Sequence, residues 1–234
     1  MDFSTKIDSF LYALIDKGGY TRVLLGFKNT LLIAVLGLII GIVIGTLIAV
    51  IKVVPKSSPV SRGLDKIGTV YVALFRGTPM VVQLLLGYFV LFPLLNIKVD
   101  SLTVCIIIFG LNSGAYVSEI MRSGILSVDP GQMEAGRALG LTYASTMLKI
   151  IVPQAVKNIL PTLGNEFITL VKETSVVSFV GAVDLYNAFK YIGSANYEYM
   201  VPYICMAIIY MLVILIISAG VKLMEKRLRA SDKR

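Results

Sequence analysis

The chain is 234 residues long, 56% hydrophobic and only 15% charged, with a mean hydropathy of +0.83. This composition excludes a soluble globular domain, because so short a chain has no polar shell thick enough to hide several membrane-length apolar runs. The formal charge of +8 does not point to nucleic acid: the basic residues flank apolar runs without interleaved aromatics, the pattern of juxtamembrane segments.

Residues 3–20 place Phe3, Ile7, Phe10, Leu11 and Leu14 at near-helical spacing, followed by Lys17, Gly18 and Gly19. This predicts an N-terminal interfacial segment over 1–20, a surface helix closed by a glycine turn. No basic leader with a short apolar core and small-residue cleavage site precedes it, so no removable signal peptide is expected. Five spans follow, at about 22–53, 62–96, 101–125, 155–182 and 199–223, forming an all-α transmembrane domain over 21–225. A basic tail occupies 226–234. The uncharged stretch 29–51 alone is long enough for a ~30 Å hydrocarbon core at ~1.5 Å per residue.

Lys and Arg concentrate on cytoplasmic connections. Lys52, Lys56, Arg62 and Lys66 mark the first connection, and Lys222, Lys226, Arg227, Arg229, Lys233 and Arg234 mark the end of the chain. The connections near 97–100 and 184–198 are poor in basic residues. The expected orientation is N-terminus outside and C-terminus cytoplasmic, with 126–154 on the cytoplasmic side. In that segment Asp129 can cap a helix opening at Pro130, Gly140 can end it in a left-handed conformation, and Thr142 can cap the next. Glu134 then lies near the positive end of a short helix across the bundle, with Arg137 further along. The same residues also suit a loop helix that merely seals two spans.

Charges within spans are costly unless paired or hydrated, which makes Arg76 and Glu119 candidates for a site. Counting inward from the outer ends of their spans, Arg76 lies about twenty residues from Asn96 and Glu119 about eighteen from Ser101, so both sit ~30 Å down and share a depth. They can bridge one another, or receive the opposed charges of an amino acid. Pro79 opens the helical ladder after Arg76, freeing carbonyls that can line a polar cavity. Thr69, Tyr71 and Gln83 lie on the same span. The fourth span is the least apolar, with Asn165, Glu166, Thr169, Lys172, Glu173, Thr174, Ser175 and Ser178, and must face protein or water rather than lipid. Cys105 and Cys205 lie in apolar segments and histidine is absent, which supports neither a disulfide framework nor a Cys/His metal site. No Gly-x-x-x-x-Gly-Lys-Ser/Thr occurs, so the usual phosphate-binding loop is missing. Catalysis by this chain, and a cofactor of its own, are not expected.

Taken together, these motifs resemble the polar amino-acid ABC transporter permeases, the family that serves histidine, arginine, lysine, glutamine and related substrates. The resemblance rests on Phe75-Arg76-Gly77-Thr78-Pro79 with Gln83, on Asn112-Ser113-Gly114-Ala115-Tyr116 with Glu119 and Arg122, and on Lys172-Glu173-Thr174-Ser175 with Ser178. It includes the 128–141 stretch with Gly131, Gln132, Glu134, Ala135 and Gly140, which is similar to the EAA loop, extending to Ile150 and Pro153. Gly136 stands where that pattern usually has a second alanine, and Val152 where leucine is usual.

The resemblance implies a type I ABC importer permease in a bacterial or archaeal cytoplasmic membrane. Its partners would be a second permease subunit, identical or closely related, two cytoplasmic ATPase subunits that bind the ATP, and an extracytoplasmic amino-acid-binding protein. It assigns coupling to Glu134, Ala135, Gly136 and Gly140. The expected substrate residues are Glu119, Arg76, Thr69, Gln83 and Asn165, for a polar and preferably basic amino acid, with glutamine less favoured. Two other classes remain open on the residues: an ion-coupled secondary transporter, although no second copy of the 76–140 pattern occurs, and a non-transporting membrane scaffold.

Overall fold

The computed structural model describes residues 2–56 and 58–230, apart from the side chain of Arg229. Lys233 and Arg234 of the expected basic tail lie outside the described residues. The described chain is helical without strands. Helix α1 spans Phe3–Leu11 and runs into a π-turn at Tyr12–Asp16, and α2 spans Gly19–Val53. Next come α3 at Pro59–Gly77, α4 at Met80–Leu86 and α5 at Phe92–Leu94, the last two joined by a π-turn at Gly87–Leu91. Helix α6 is Ser101–Leu126, α7 is Pro130–Ala138 and α8 is Tyr143–Thr146. A π-turn at Met147–Ile151 leads into α9 at Val152–Glu173, which tightens into a 3-10 turn at Thr174–Val180. Helices α10, Leu185–Asn196, and α11, Met200–Ala230, complete the chain.

Among the described residues, length and apolarity qualify three helices as spans, Gly19–Val53, Ser101–Leu126 and Met200–Leu228, or four if a bent pair counts as one. That pair, Pro59–Gly77 and Met80–Leu94, is bent by 107°. The expected straight span over 62–96 is therefore corrected to two arms meeting at Thr78 and Pro79, and the depth computed for Arg76 along it does not apply. The expected fourth span corresponds to α9, whose polar face keeps it out of the apolar set although its 22 residues reach ~30 Å.

Helices α2 and α6 form the central pair. Gly37, Gly41 and Gly45 recur every fourth residue on α2 and face Phe109, Ser113 and Val117 of α6. A Cβ on Gly41 would lie 2.6 Å from Ser113 Oγ, and one on Gly45 would lie 2.7 Å from Val117 Cβ. The small residues let the two backbones approach closely, so dispersion replaces the hydrophobic drive that is absent in lipid. Ile33, Leu84, Val104, Phe109, Leu170 and Val177 build the main core from α2, α4, α6, α9 and the 3-10 turn.

A second cluster forms at the end of the bundle that carries α1. Phe10 and Ala13 pack with Leu185, Phe189, Ile192 and Val201, Lys6 lies 3.8 Å from Glu198, and Asn196 donates to the Ser9 carbonyl at 3.2 Å. The N-terminal segment, expected as a membrane-surface anchor, is thus also a clasp across α10 and α11. Gly18 makes the expected left-handed turn (φ +70°).

Candidate translocation path and coupling face

The loop helix α7 forms as its residues dictate. Asp129 accepts a hydrogen bond from Gly131 N at 2.8 Å, Pro130 opens the helix, Gly140 closes it with φ +82°, and Thr142 caps α8 by accepting from Ser145 N at 3.2 Å. Glu134, Ala135 and Gly140 are exposed, and Leu139 at the tip is 82% exposed. Gly136 alone of the four expected coupling residues faces inward. A Cβ there would meet Thr146 Cγ2 at 2.4 Å, so glycine in place of the second alanine lets α7 lie directly on α8.

Three polar links tie this loop to the spans, and a fourth braces it internally. Tyr143 donates to the Val53 carbonyl at the end of α2, at 3.3 Å; burial raises its hydroxyl above the ordinary pKa, keeping it a donor. Gln154 of α9 reaches Gln132 of α7 at 3.4 Å. Asn158 of α9 donates to Ser127 Oγ beyond α6 at 2.8 Å. Arg137 Nη1 donates to the Leu141 carbonyl at 2.8 Å, bracing the turn. A push on α7 is thereby shared among α2, α6 and α9.

Among the described residues, no hydrogen bond or ion pair joins the five residues expected to hold substrate to one another. Glu119 does not pair with Arg76: Lys52 Nζ lies 2.8 Å from Oε1, and Arg122 donates to Oε2 through Nε at 3.0 Å and Nη2 at 2.8 Å. Those two cations satisfy both carboxylate oxygens, and Arg76, near the end of α3, stays exposed with its guanidinium 5.3 Å from the Tyr116 ring centroid, one turn short of Glu119 on α6. Arg122 is the i,i+3 partner a helical reading could have found. Lys52 is visible only once α2 and α6 are packed. Thr69 is exposed, its hydroxyl bonded to the Asp65 carbonyl at 2.8 Å. Gln83 is engaged within the bend, donating to the Phe75 and Thr78 carbonyls at 2.8 and 2.9 Å. The carbonyls expected to open toward a cavity are thus satisfied from inside the chain.

Asn165 belongs to a different arrangement. Gln154, Asn158, Thr162, Asn165 and Lys172 are exposed, and Thr169 half-exposed, along one face of α9, while Ala155, Ile159, Leu163, Glu166 and Leu170 on the other are buried. Glu166 accepts from Ser113 Oγ at 3.0 Å. A helix of membrane length with an exposed polar stripe from end to end cannot rest against acyl chains, so this face meets water or protein.

A broken span, a polar-striped helix in an apolar bundle and a short helix tied to the spans are the features a solute-transport permease requires. Residues 41–230 match the family described as binding-protein-dependent transport system inner membrane component, and the chain belongs to it. The arginine transport system permease protein ArtQ of Bacillus subtilis is 42% identical over 166 residues, covering 71% of this chain and 76% of the relative. A putative glutamine transport system permease protein, GlnP, of Rickettsia bellii is 41% identical over 171 residues, covering 73% and 78%. Among solved structures, an amino acid ABC transporter crystallised with histidines superposes with a TM-score of 0.83 at 38% identity, covering 97% of this chain and 99% of that one. The chain is the permease of an amino acid ABC importer, a class that works with an ATPase and a substrate-binding protein.

Proposed function

We propose that the chain forms, with a second copy or a close homologue, the translocation path of an importer for polar amino acids, basic ones foremost. The observation that carries this reading is the exposed polar stripe of α9, which a partner permease would complete into a water-accessible route. Asn165 on that stripe, with exposed Arg76 and Thr69 on α3, supplies groups for an amino acid's polar ends. Glu119 joins them only where its clamp with Lys52 and Arg122 opens.

The exposed face of α7, with Glu134, Ala135 and the turn at Gly140, docks on a cytoplasmic ATPase, and Gly136 holds that helix on its base. ATP is bound by those partner subunits. The chain lies in a bacterial or archaeal cytoplasmic membrane with the α7 end inside, as the basic flanks favour, and a binding protein delivers substrate to the opposite end. Because ATPase and binding protein bind the two conformations of the path differently, they shift its equilibrium.

The test is ATPase activity and uptake in liposomes holding this chain, its ATPase and its binding protein, with arginine, lysine, histidine, glutamine or glutamate in turn. Stimulation by basic amino acids, abolished by Glu134→Arg, is expected. Stimulation by glutamine or glutamate alone would reject the basic preference. Intact assembly with no stimulation by any of them would reject transport and favour a scaffold.

A further inference from the structure

The bend between α3 and α4 is completed by side chains. Pro79 has no N–H, so the Phe75 carbonyl four residues earlier loses its ladder donor. Gln83 Nε2 supplies the substitute at 2.8 Å, and it also reaches the Thr78 carbonyl at 2.9 Å and Thr78 Oγ1 at 2.8 Å. The Thr78 hydroxyl in turn donates to the Leu74 carbonyl at 2.8 Å. From the other side Asn112 of α6, only 4% exposed, donates to Gln83 Oε1 at 2.8 Å and approaches the Phe75 carbonyl at 3.4 Å. The donors run in one direction, from Asn112 through Gln83 and Thr78 into the end of α3. A carboxamide is required at 83, since both its N–H groups and its oxygen are engaged. Beside the network lies an apolar groove of about 330 Å³, with Leu74, Val82, Leu86, Val90 and Ile108 in its walls, a poor source of replacement partners for any group set free.

We propose that Gln83 is a positioning residue rather than a substrate ligand. Its carboxamide replaces the N–H that Pro79 lacks and locks α3 and α4 at their bend, so that the two arms move as one body during transport. The second half rests on the transport cycle proposed above; the first does not. A hinge that flexed at Thr78 and Pro79 would have to release the part-buried Phe75 carbonyl and the buried Asn112 amide together, and buried polar groups left unpaired are strongly disfavoured.

The experiment places spin labels at Ile67 on α3 and Phe89 beyond α4, both exposed, in a Cys205→Ala background. Distances across the bend are measured in the assembled transporter, nucleotide-free and ATP-trapped, for the native residue, for isosteric Gln83→Glu, and for Asn112→Asp, which leaves Gln83 itself intact. Expected is one narrow distance, equal in both states, that broadens in each variant, with maximal transport falling roughly tenfold and the substrate KM held. A native distance that shifts with nucleotide would overturn the rigid bend. A raised KM with an unaltered distance would make Gln83 a ligand and overturn its positioning role, as would variants with native distance and transport. If the transporter shows no ATP-driven transport at all, the functional reading fails, while the comparison of native and variant distances still decides the role of Gln83.

Discussion

Gly136 offers the sharpest test of how α7 is seated. Replacing it by alanine, the residue more usual at this point of the EAA pattern, puts a methyl 2.4 Å from Thr146 Cγ2 and 2.8 Å from Thr146 Oγ1. Carbon atoms rest at ~3.5–4.0 Å, so the overlap exceeds about 1 Å. Thr146 cannot swing clear: it is fully buried, and its hydroxyl donates to the Thr142 carbonyl at 3.1 Å. Overpacking of this kind costs about 1–3 kcal/mol, and a chain of this size loses roughly 2–4 °C per kcal/mol. The expected drop for Gly136→Ala is therefore roughly 2–12 °C in Tm, measured on the permease in nanodiscs. Adding Thr146→Ala removes both clashing atoms and should restore most of the loss, a coupling that a double-mutant cycle isolates. A Gly136→Ala protein as stable as the native one, or a double variant no better than the single, would refute the packing account. Uptake measured in parallel separates a displaced α7 from simple unfolding.

The remaining predictions follow from the same geometry. Gly41→Leu should abolish accumulation of folded protein in the membrane, because the larger side chain meets Ser113, whereas Gly63→Leu should be silent, since nothing lies within 4 Å of a Cβ there; fluorescence-detected gel filtration reads both. Glu119→Gln should destabilise more than Lys52→Met or Arg122→Met, because it leaves two cations facing each other where either single loss leaves the carboxylate one partner; Tm ranks the three. Burial pushes Asp184 up to about 6, against the opposing pull of the Asn187 and Tyr186 N–H groups that it caps. With its native pKa above the unfolded one, its contribution is fullest below about pH 4 and is lost as pH rises through about 6, a change of about 3 kcal/mol. Asp184→Asn, which keeps the cap, should flatten the stability profile over that window. Cysteines at Thr162 and Asn165 should react with a charged thiol reagent in the membrane, while one at Ile216, an exposed residue of apolar α11, should not; equal labelling would contradict the stripe.

Residues that act through local chemistry were legible in the chain. Asp129, Pro130, Gly140 and Thr142 each occupy the cap or turn position that their backbone preferences dictate, so α7 could be drawn from sequence. The polar character of α9 was equally readable, since helical periodicity alone puts Asn158, Thr162, Asn165 and Lys172 on one face. The partner of Glu119 was not readable in the same way. Arg122 lies within reach along the helix, but Lys52 arrives from α2, and the depth argument that favoured Arg76 presumed a straight span.

By itself the sequence determined that this is an apolar helical protein, where its loop helix starts and stops, and that its polar residues at helical spacing need water or protein. These are consequences of composition, backbone preference and period, all of them local. Only the tertiary structure decided how sharply the chain turns at Thr78 and Pro79, which helix brings the cation to Glu119, and that the freed carbonyls are closed by Gln83 and Asn112. A proline announces a break but not its angle, and the angle depends on donors contributed from a helix thirty residues away in the chain.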